Sequence, residues 1–183
     1  MHTITSPTRV RGITLRAAVA ADEQAMQSII CNAVDELLEG AHFGAAEMAA
    51  ARAAGMFTAD TGLIAAGTYY VIEIDGRVVA GSGWSPGGAV IPGGAAAAAR
   101  EDTAVMRAAY VDPAWARRGL VTLLARTTEA VARISGFRRF EALCTPPGEG
   151  VLRGLGYSLI AREPVRLAPG MTVHGARMRK VID

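Results

Sequence analysis

Arg117, Arg118 and Gly119 stand together between a strand-like run that stops at Asp112-Pro113 and an apolar stretch, starting at Leu120, that reads as a helix. The first turn of a helix leaves backbone N–H groups unpaired and carries the positive end of the macrodipole, so acidic side chains rather than arginines are expected there. Cations in that place make sense if an anion arrives from outside the chain. Phosphate is the natural ligand of free helix N-terminal amides. Glycine, having no Cβ, lets an oxygen approach the backbone, and guanidinium groups match phosphate in charge and geometry. The competing reading is an ordinary helix start with two solvated arginines and a glycine that permits close packing.

The remaining chemistry-bearing residues give weaker signals. "GSGWSP" (Gly81 to Pro86) resembles the opening of a dinucleotide-binding glycine pattern, but Pro86 occupies the place of the third glycine and no helix follows. Cys31 and Cys144 suggest neither a disulfide framework nor a metal cluster. Cys144 has no histidine close in sequence and reads as a structural thiol. His42 and His174 are isolated and lack metal-ligand spacing, so no metal is expected. Arg177, Arg179 and Lys180 read as the solvated face of a strand. Trp84 and Tyr70 read as hairpin packing, with Trp84 also placed to line a cleft.

These residues need elements to hold them. Residues 13–18 read as a strand. Met26, Ile29, Ile30, Ala33, Val34 and Leu37 recur at spacings of three and four, a helical stripe with Asp22 and Glu23 in its first turn and Gly40 at its end. Residues 45–54 read as a second helix with a continuation toward Ala66. Two β-rich runs over 68–84 flank Asp75-Gly76, a strong hairpin signal. Residues 85–102, rich in glycine, proline and alanine, read as a long loop with a helical turn over 95–100. Residues 103–111 read as a strand. Leu120, Leu123, Leu124, Thr127, Val131 and Ile134 mark the next helical stripe, closed by Gly136. A strand over 138–144, a short helix over 149–153 and two final strands complete the order. Strands and helices mixed in this way imply an α/β or α+β class, a mixed sheet with helices. No repeat or linker divides the chain, so residues 13–183 are expected to form one domain behind a flexible segment, 1–12.

Composition excludes several classes. The 183 residues are 51% hydrophobic and 20% charged, which is a globular balance. A net charge of +2 gives no electrostatic case for nucleic acid or a membrane surface. The start, "MHTITSPTRVRG", lacks the apolar core of a signal peptide, and no apolar run reaches the ~18 residues of a membrane span. A cytoplasmic location is expected.

"YVDPAWARRGLVTLL" resembles the acyl-CoA-binding segment of the GNAT superfamily of N-acyltransferases, in which a strand ending in Val-x-Pro precedes a loop of the form Gln/Arg-x-x-Gly-x-Gly/Ala and then a helix. Gly119 matches the first glycine and Arg118 the basic residue before it. "GFRRFEALCTPPGEGVLRGLGY" is similar to the family's next strand, short helix and closing Gly-Tyr/Phe, so the resemblance spans roughly residues 13–181. It implies a twisted, splayed central sheet with helices on both faces. Pantetheine would pair with the backbone of Ala109, Tyr110 and Val111. The pyrophosphate of acetyl-CoA would rest on the amides of Arg117, Arg118, Gly119, Leu120, Val121 and Thr122. Three positions depart from the pattern: Ala116 replaces Gln/Arg, Val121 replaces the second glycine, and Leu152 stands where many members carry a tyrosine that protonates the leaving thiolate.

The implied reaction moves an acetyl group to an amine by direct attack. An ammonium with a pKa of about 10.4 must first lose a proton, and a carboxylate is the usual base. Glu101, Asp102, Glu73 and Glu141 are the candidates, although each reads first as a solvated charge. A backbone N–H near Tyr110 is the implied donor to the oxyanion. The acceptor, a small amine or a peptide, and a homodimeric state are left open. The rival function is an acyl-CoA-binding regulatory or structural module with little turnover, suggested by Leu152.

Overall fold

β-branched and aromatic residues on either side of Asp75-Gly76 form the expected hairpin: β2 (Tyr69–Ile74) and β3 (Arg77–Pro86). Both turn residues have positive φ, 51° and 81°, as a tight hairpin turn matched to strand twist requires. The structure, a computed structural model, describes residues 12–38, 45–53, 57–87, 102–144, 146–168 and 171–182. The expectations for the N-terminal segment, Gly40, His42, Glu101 and most of the long loop, including its helical turn, lie outside these residues. Ser85 and Pro86, assigned to that loop from sequence, belong to β3.

Among the described residues the sheet has seven strands in the order β1-β2-β3-β4-β5-β7-β6. β1 (Ile13–Ala17), β4 (Thr103–Val111), β5 (Arg139–Cys144), β6 (Ser158–Ala168) and β7 (Met171–Val181) complete it. Every described neighbour pair is antiparallel except β4–β5, which is parallel. A parallel pair needs a crossover, here α4 (Leu120–Ile134).

One face of the sheet packs against α1 (Glu23–Leu38), whose Met26, Ile29, Ile30 and Val34 are buried with Tyr69 and Val71. α2 (Ala45–Ala53) and α3 (Thr61–Ala65) are separate helices, not one continuous helix. Asp60 caps α3 by accepting the Leu63 N–H at 3.1 Å, the local bond that favours starting a new helix there. α4 and α5 (Pro146–Gly154) cover the other face. α5 begins at Pro146, earlier than expected, because proline is tolerated in the first helical turn, where its missing N–H has no intrahelical partner to lose. No helix among the described residues is long and apolar enough to cross a membrane.

α4 buries Leu120 and Leu124 of the expected apolar stripe, but the rest of its buried face departs from that stripe. Leu120, Leu124, Ala125, Thr128, Glu129 and Ala132 face the sheet, whereas Leu123 is 41% and Ile134 86% exposed. Thr128 tolerates burial by donating to the carbonyls of Leu124 and Ala125, both at 3.0 Å. Glu129 does so by accepting from Lys180 Nζ at 2.7 Å. This packing generates a paired expectation. Leu124→Ala should cost about 2–5 kcal/mol in denaturant unfolding, while Ile134→Ala should stay within about 0.5 kcal/mol of the parent. Equal losses would restore the apolar stripe as the packed face.

Candidate functional site

β4 is the central strand, and its pairing changes midway. Toward β5 it pairs only from Thr103↔Arg139 to Met106↔Ala142, after which the two strands part. Toward β3 the register runs Ala104↔Pro86 to Arg107↔Gly83, then shifts to Tyr110↔Gly81 and Val111↔Ala80. Two backbone bonds set the phase on either side: Gly87 N–H to Thr103 C=O at 2.7 Å, and Asp112 N–H to Val79 C=O at 2.8 Å. Antiparallel ladders bond at every second residue. The bonds to β3 therefore fall at Thr103, Val105 and Arg107, then at Tyr110 and Asp112. Ala108 and Ala109 lie together opposite Ser82 as a β-bulge. The Ala109 carbonyl and both backbone groups of Val111 therefore face the side that β5 has left. Ala108 has φ 52°, unusual for a residue with a Cβ and costly by about 1–2 kcal/mol.

β4 leads into a short 3-10 turn, Pro113–Trp115, capped by Asp112, whose Oδ1 accepts the Ala114 N–H at 3.0 Å. Arg77, at the β2–β3 turn, holds the other carboxylate oxygen at 2.8 Å. The loop then passes through Arg117 (φ 59°) and Gly119 (φ 79°). A Cβ on Gly119 would meet nothing within 4 Å, so this glycine is required by its left-handed backbone and by the open space before it, not by packing. The first turn of α4 has no side-chain cap and no acidic residue. Arg117 and Arg118 are exposed beside it, with Arg118 stacked 4.6 Å from the Trp115 ring centroid. A second concavity, a cavity of about 340 Å³ between α1 and the hairpin turn, is lined in part by Ser28, Asn32, Arg77 and Asp112.

Residues 31–156 match the family model described as the acetyltransferase (GNAT) family. The chain belongs to the GNAT acetyltransferase family. Solved structures share its fold. The PaiA N-acetyltransferase from Thermoplasma acidophilum, in complex with coenzyme A, superposes with a TM-score of 0.71 at 9% identity over 93% of this chain and 99% of the other. YncA, a putative acetyltransferase from Salmonella typhimurium with acetyl-CoA, gives 0.64 at 21% identity over 94% and 95%. The ribosomal-protein-S18-alanine N-acetyltransferase from Escherichia coli gives 0.61 at 14% over 94% and 95%. A search of curated protein sequences returns no match. This GNAT chain is thus an enzyme of the N-acetyltransferase type, and acyl transfer is its class of chemistry.

The carboxylates read from the GNAT sequence as bases are mostly occupied. Asp102 lies at the start of β4, 3.7 Å from Arg139 Nε, several residues before the bulge. Glu73 accepts from Arg16 at 3.1 Å, which also binds Asp22 at 2.7 and 2.8 Å; Arg16 holds the Asp22 carboxyl below its ordinary range. Glu141 is not a solvated charge: it is 7% exposed and meets Arg179 at 2.7 Å and Arg177 at 3.7 Å. Nor do Arg177, Arg179 and Lys180 form a solvated face. Arg177 is buried and also grips Glu163 at 2.8 Å, which lowers the Glu163 carboxyl, and Lys180 bonds Glu129 across the sheet's other side. His174 is exposed.

Leu152 is buried in the core that contains α4 and Trp84, and Trp84 packs edge-on against Phe137 at 5.3 Å rather than opening toward a cleft. Tyr157 lies in the same core with its hydroxyl on Met106 Sδ at 2.8 Å, and burial pushes its pKa up. Cys144 is half-buried against Ala176 and Met178, and burial raises its thiol as well. Sequence reading missed three residues around the bulge: Tyr69, whose hydroxyl donates to Ala108 C=O at 2.9 Å, and the pair Arg107–Asp60 at 3.4 Å. Asp60 had a signal, since Asp-Thr-Gly-Leu is a capping pattern, but the alanine-rich run beforehand suggested a continuing helix. These ion pairs yield an expectation for Glu141→Gln. Breaking the buried cluster should cost about 3 kcal/mol, while thiol release from acetyl-CoA with an amine panel should fall less than about tenfold. Loss of a true base would cost about 10²–10⁴.

Proposed function

We propose that the protein transfers an acetyl group from acetyl-CoA to an amine by direct attack, with no covalent enzyme intermediate. The observation that carries this reading is the stretch of β4 after Arg107, with Ala109 and Val111 facing away from β3 beyond the end of the β5 pairing, followed by an uncapped helix N-terminus. An extended pantetheine arm carries amide groups that can replace the missing strand along Ala109, Tyr110 and Val111. The pyrophosphate suits the amides from Arg117 to Thr122, where macrodipole, unpaired N–H groups and two guanidinium groups all favour negative charge. Val121 is half-buried, and its side chain does not remove its amide from that set.

In the reaction the amine nitrogen attacks the thioester carbon, the C–S bond breaks, the amine gives up a proton and the thiolate takes one. Negative charge collects on the thioester oxygen, and a preorganised backbone N–H is the group that stabilises it without reorganisation. The Ala109 amide is the donor we assign. Among the described candidates Asp102, Glu73 and Glu141 are engaged in ion pairs, and Leu152 offers no proton; with no base assigned, the rate is expected to follow the neutral fraction of the amine. A binding module with little turnover is the rival reading, and Leu152 is the observation in its favour; release of thiol from acetyl-CoA across an amine panel separates the two. Two unpaired cysteines support a reducing, cytoplasmic setting.

Ligand linkage tests the binding step. Acetyl-CoA at 100 times its Kd should add about 2.7 kcal/mol, a rise in Tm of about 5–11 °C at this size. Pantetheine, which leaves the helix N-terminus empty, should give much less. Gly119→Glu, which forces a side chain and a negative charge into the left-handed position, should abolish most of the shift. An unchanged Tm with millimolar acetyl-CoA would refute the site.

A further inference from the structure

Tyr69 stands on β2, two strands from β4, yet its hydroxyl donates to the carbonyl of Ala108 at 2.9 Å. It reaches that far because β3 carries glycines beneath it. A Cβ on Gly81 would lie 2.7 Å from Tyr69 Cε1, and one on Gly83 would lie 2.8 Å from Tyr69 Cδ2. Both are closer than real contacts allow, so the ring occupies a trough that only glycine leaves open. This accounts for "GSGW", a glycine pattern that resembles a nucleotide motif but serves as a floor for an aromatic ring. Tyr69 is 1% exposed and packs with Met26 and Leu63 on the α1 side of the sheet.

The contact has a consequence for the next peptide. Carbonyl and N–H of a trans peptide point in opposite directions within one plane. The Ala108 carbonyl turns toward the Tyr69 hydroxyl, on the side covered by α1. The Ala109 N–H therefore turns the other way, away from the side covered by α1, at a point of β4 beyond the end of its pairing with β5. A phenylalanine would fill the same trough; the hydroxyl alone reaches the bulge carbonyl, whose residue sits at φ 52°.

We propose that Tyr69 is a positioning residue for acyl transfer: lying across Gly81 and Gly83, it locks the Ala108–Ala109 peptide so that the Ala109 amide faces the thioester oxygen. This rests on the acetyl-CoA reading of the β4 site. Tyr69→Phe tests it by removing one oxygen atom. Three readouts are needed: the assigned Ala109 amide resonance in the ligand-free protein, the Kd of acetyl-CoA, and kcat at saturating acetyl-CoA with one fixed primary amine. The expected result is a displaced or broadened Ala109 resonance with Leu120 unmoved, a Kd within about threefold of wild type, and kcat lower by about 10- to 100-fold, somewhat less than deletion of an oxyanion donor. Gly81→Ala, which pushes the ring from its trough while keeping the hydroxyl, should show the same split. A purely structural tyrosine would lower Tm and leave kcat of the folded protein alone. An Ala109 resonance unchanged in Tyr69→Phe, or a kcat within twofold of wild type, would overturn the proposal. Wild-type protein that bound no acetyl-CoA would instead defeat the acyl-transfer reading, and the Ala109 resonance would still decide whether Tyr69 sets the peptide.

Discussion

Backbone hydrogen bonding along β4 is the constraint on which the other features depend. A central strand satisfies its N–H and C=O groups through two neighbours, and buried groups left without partners are costly. β4 keeps both neighbours up to Met106. Beyond that point β5 leaves, and the bulge at Ala108 and Ala109 interrupts the ladder to β3. The sheet continues past the break because β7 pairs with β5 on its far side, from Arg139↔Val181 to Cys144↔Ala176. The gap is therefore local: a few residues of extended backbone, held at both ends, with hydrogen-bonding capacity directed into the space between two strands.

Charged side chains stabilise the two flanks of that gap. On one face of β5, β7 and β6, Glu141, Arg177, Arg179 and Glu163 form a cluster in which each buried charge meets an opposite one. On the other face, Lys180 ties β7 to Glu129 of α4. At the far end of β4, Arg77 clamps Asp112, which also caps the turn leading to α4. That last pair fixes the hairpin β2–β3 to the loop whose amides open toward solvent. Buried ion pairs contribute little net stability against apolar replacements, but removing one partner is expensive. They set the geometry of the break more than they strengthen the fold.

Features written into adjacent residues were legible from sequence. Asp75-Gly76 specified its turn, the stripe from Met26 to Val34 specified the buried face of α1, and Gly119 marked the place where the backbone turns left-handed. Features that depend on partners distant in sequence were not. Glu129 is buried on α4 beside a lysine 51 positions away, so the apolar pattern, right at Leu120 and Leu124, missed Glu129 and wrongly included Leu123 and Ile134. Arg177 and Glu141 looked like surface charges until the sheet brought them together. The bulge lies in Arg-Ala-Ala-Tyr, which contains no glycine or proline to announce it. Its only trace is elsewhere, in the two glycines of β3 that make room for Tyr69.

Residue-resolved amide hydrogen exchange, with and without acetyl-CoA, tests the central claim most directly. If β4 ends in an unpaired stretch that takes the acyl donor as its missing neighbour, Ala109 and Val111 exchange fast in the free protein, between slowly exchanging Arg107 and Asp112. Acetyl-CoA then slows them together with Leu120, Val121 and Thr122. The account is contradicted if Ala109 and Val111 are already protected without ligand. It is equally contradicted if acetyl-CoA leaves them unchanged and protects instead the cavity around Ser28, Asn32 and Val78.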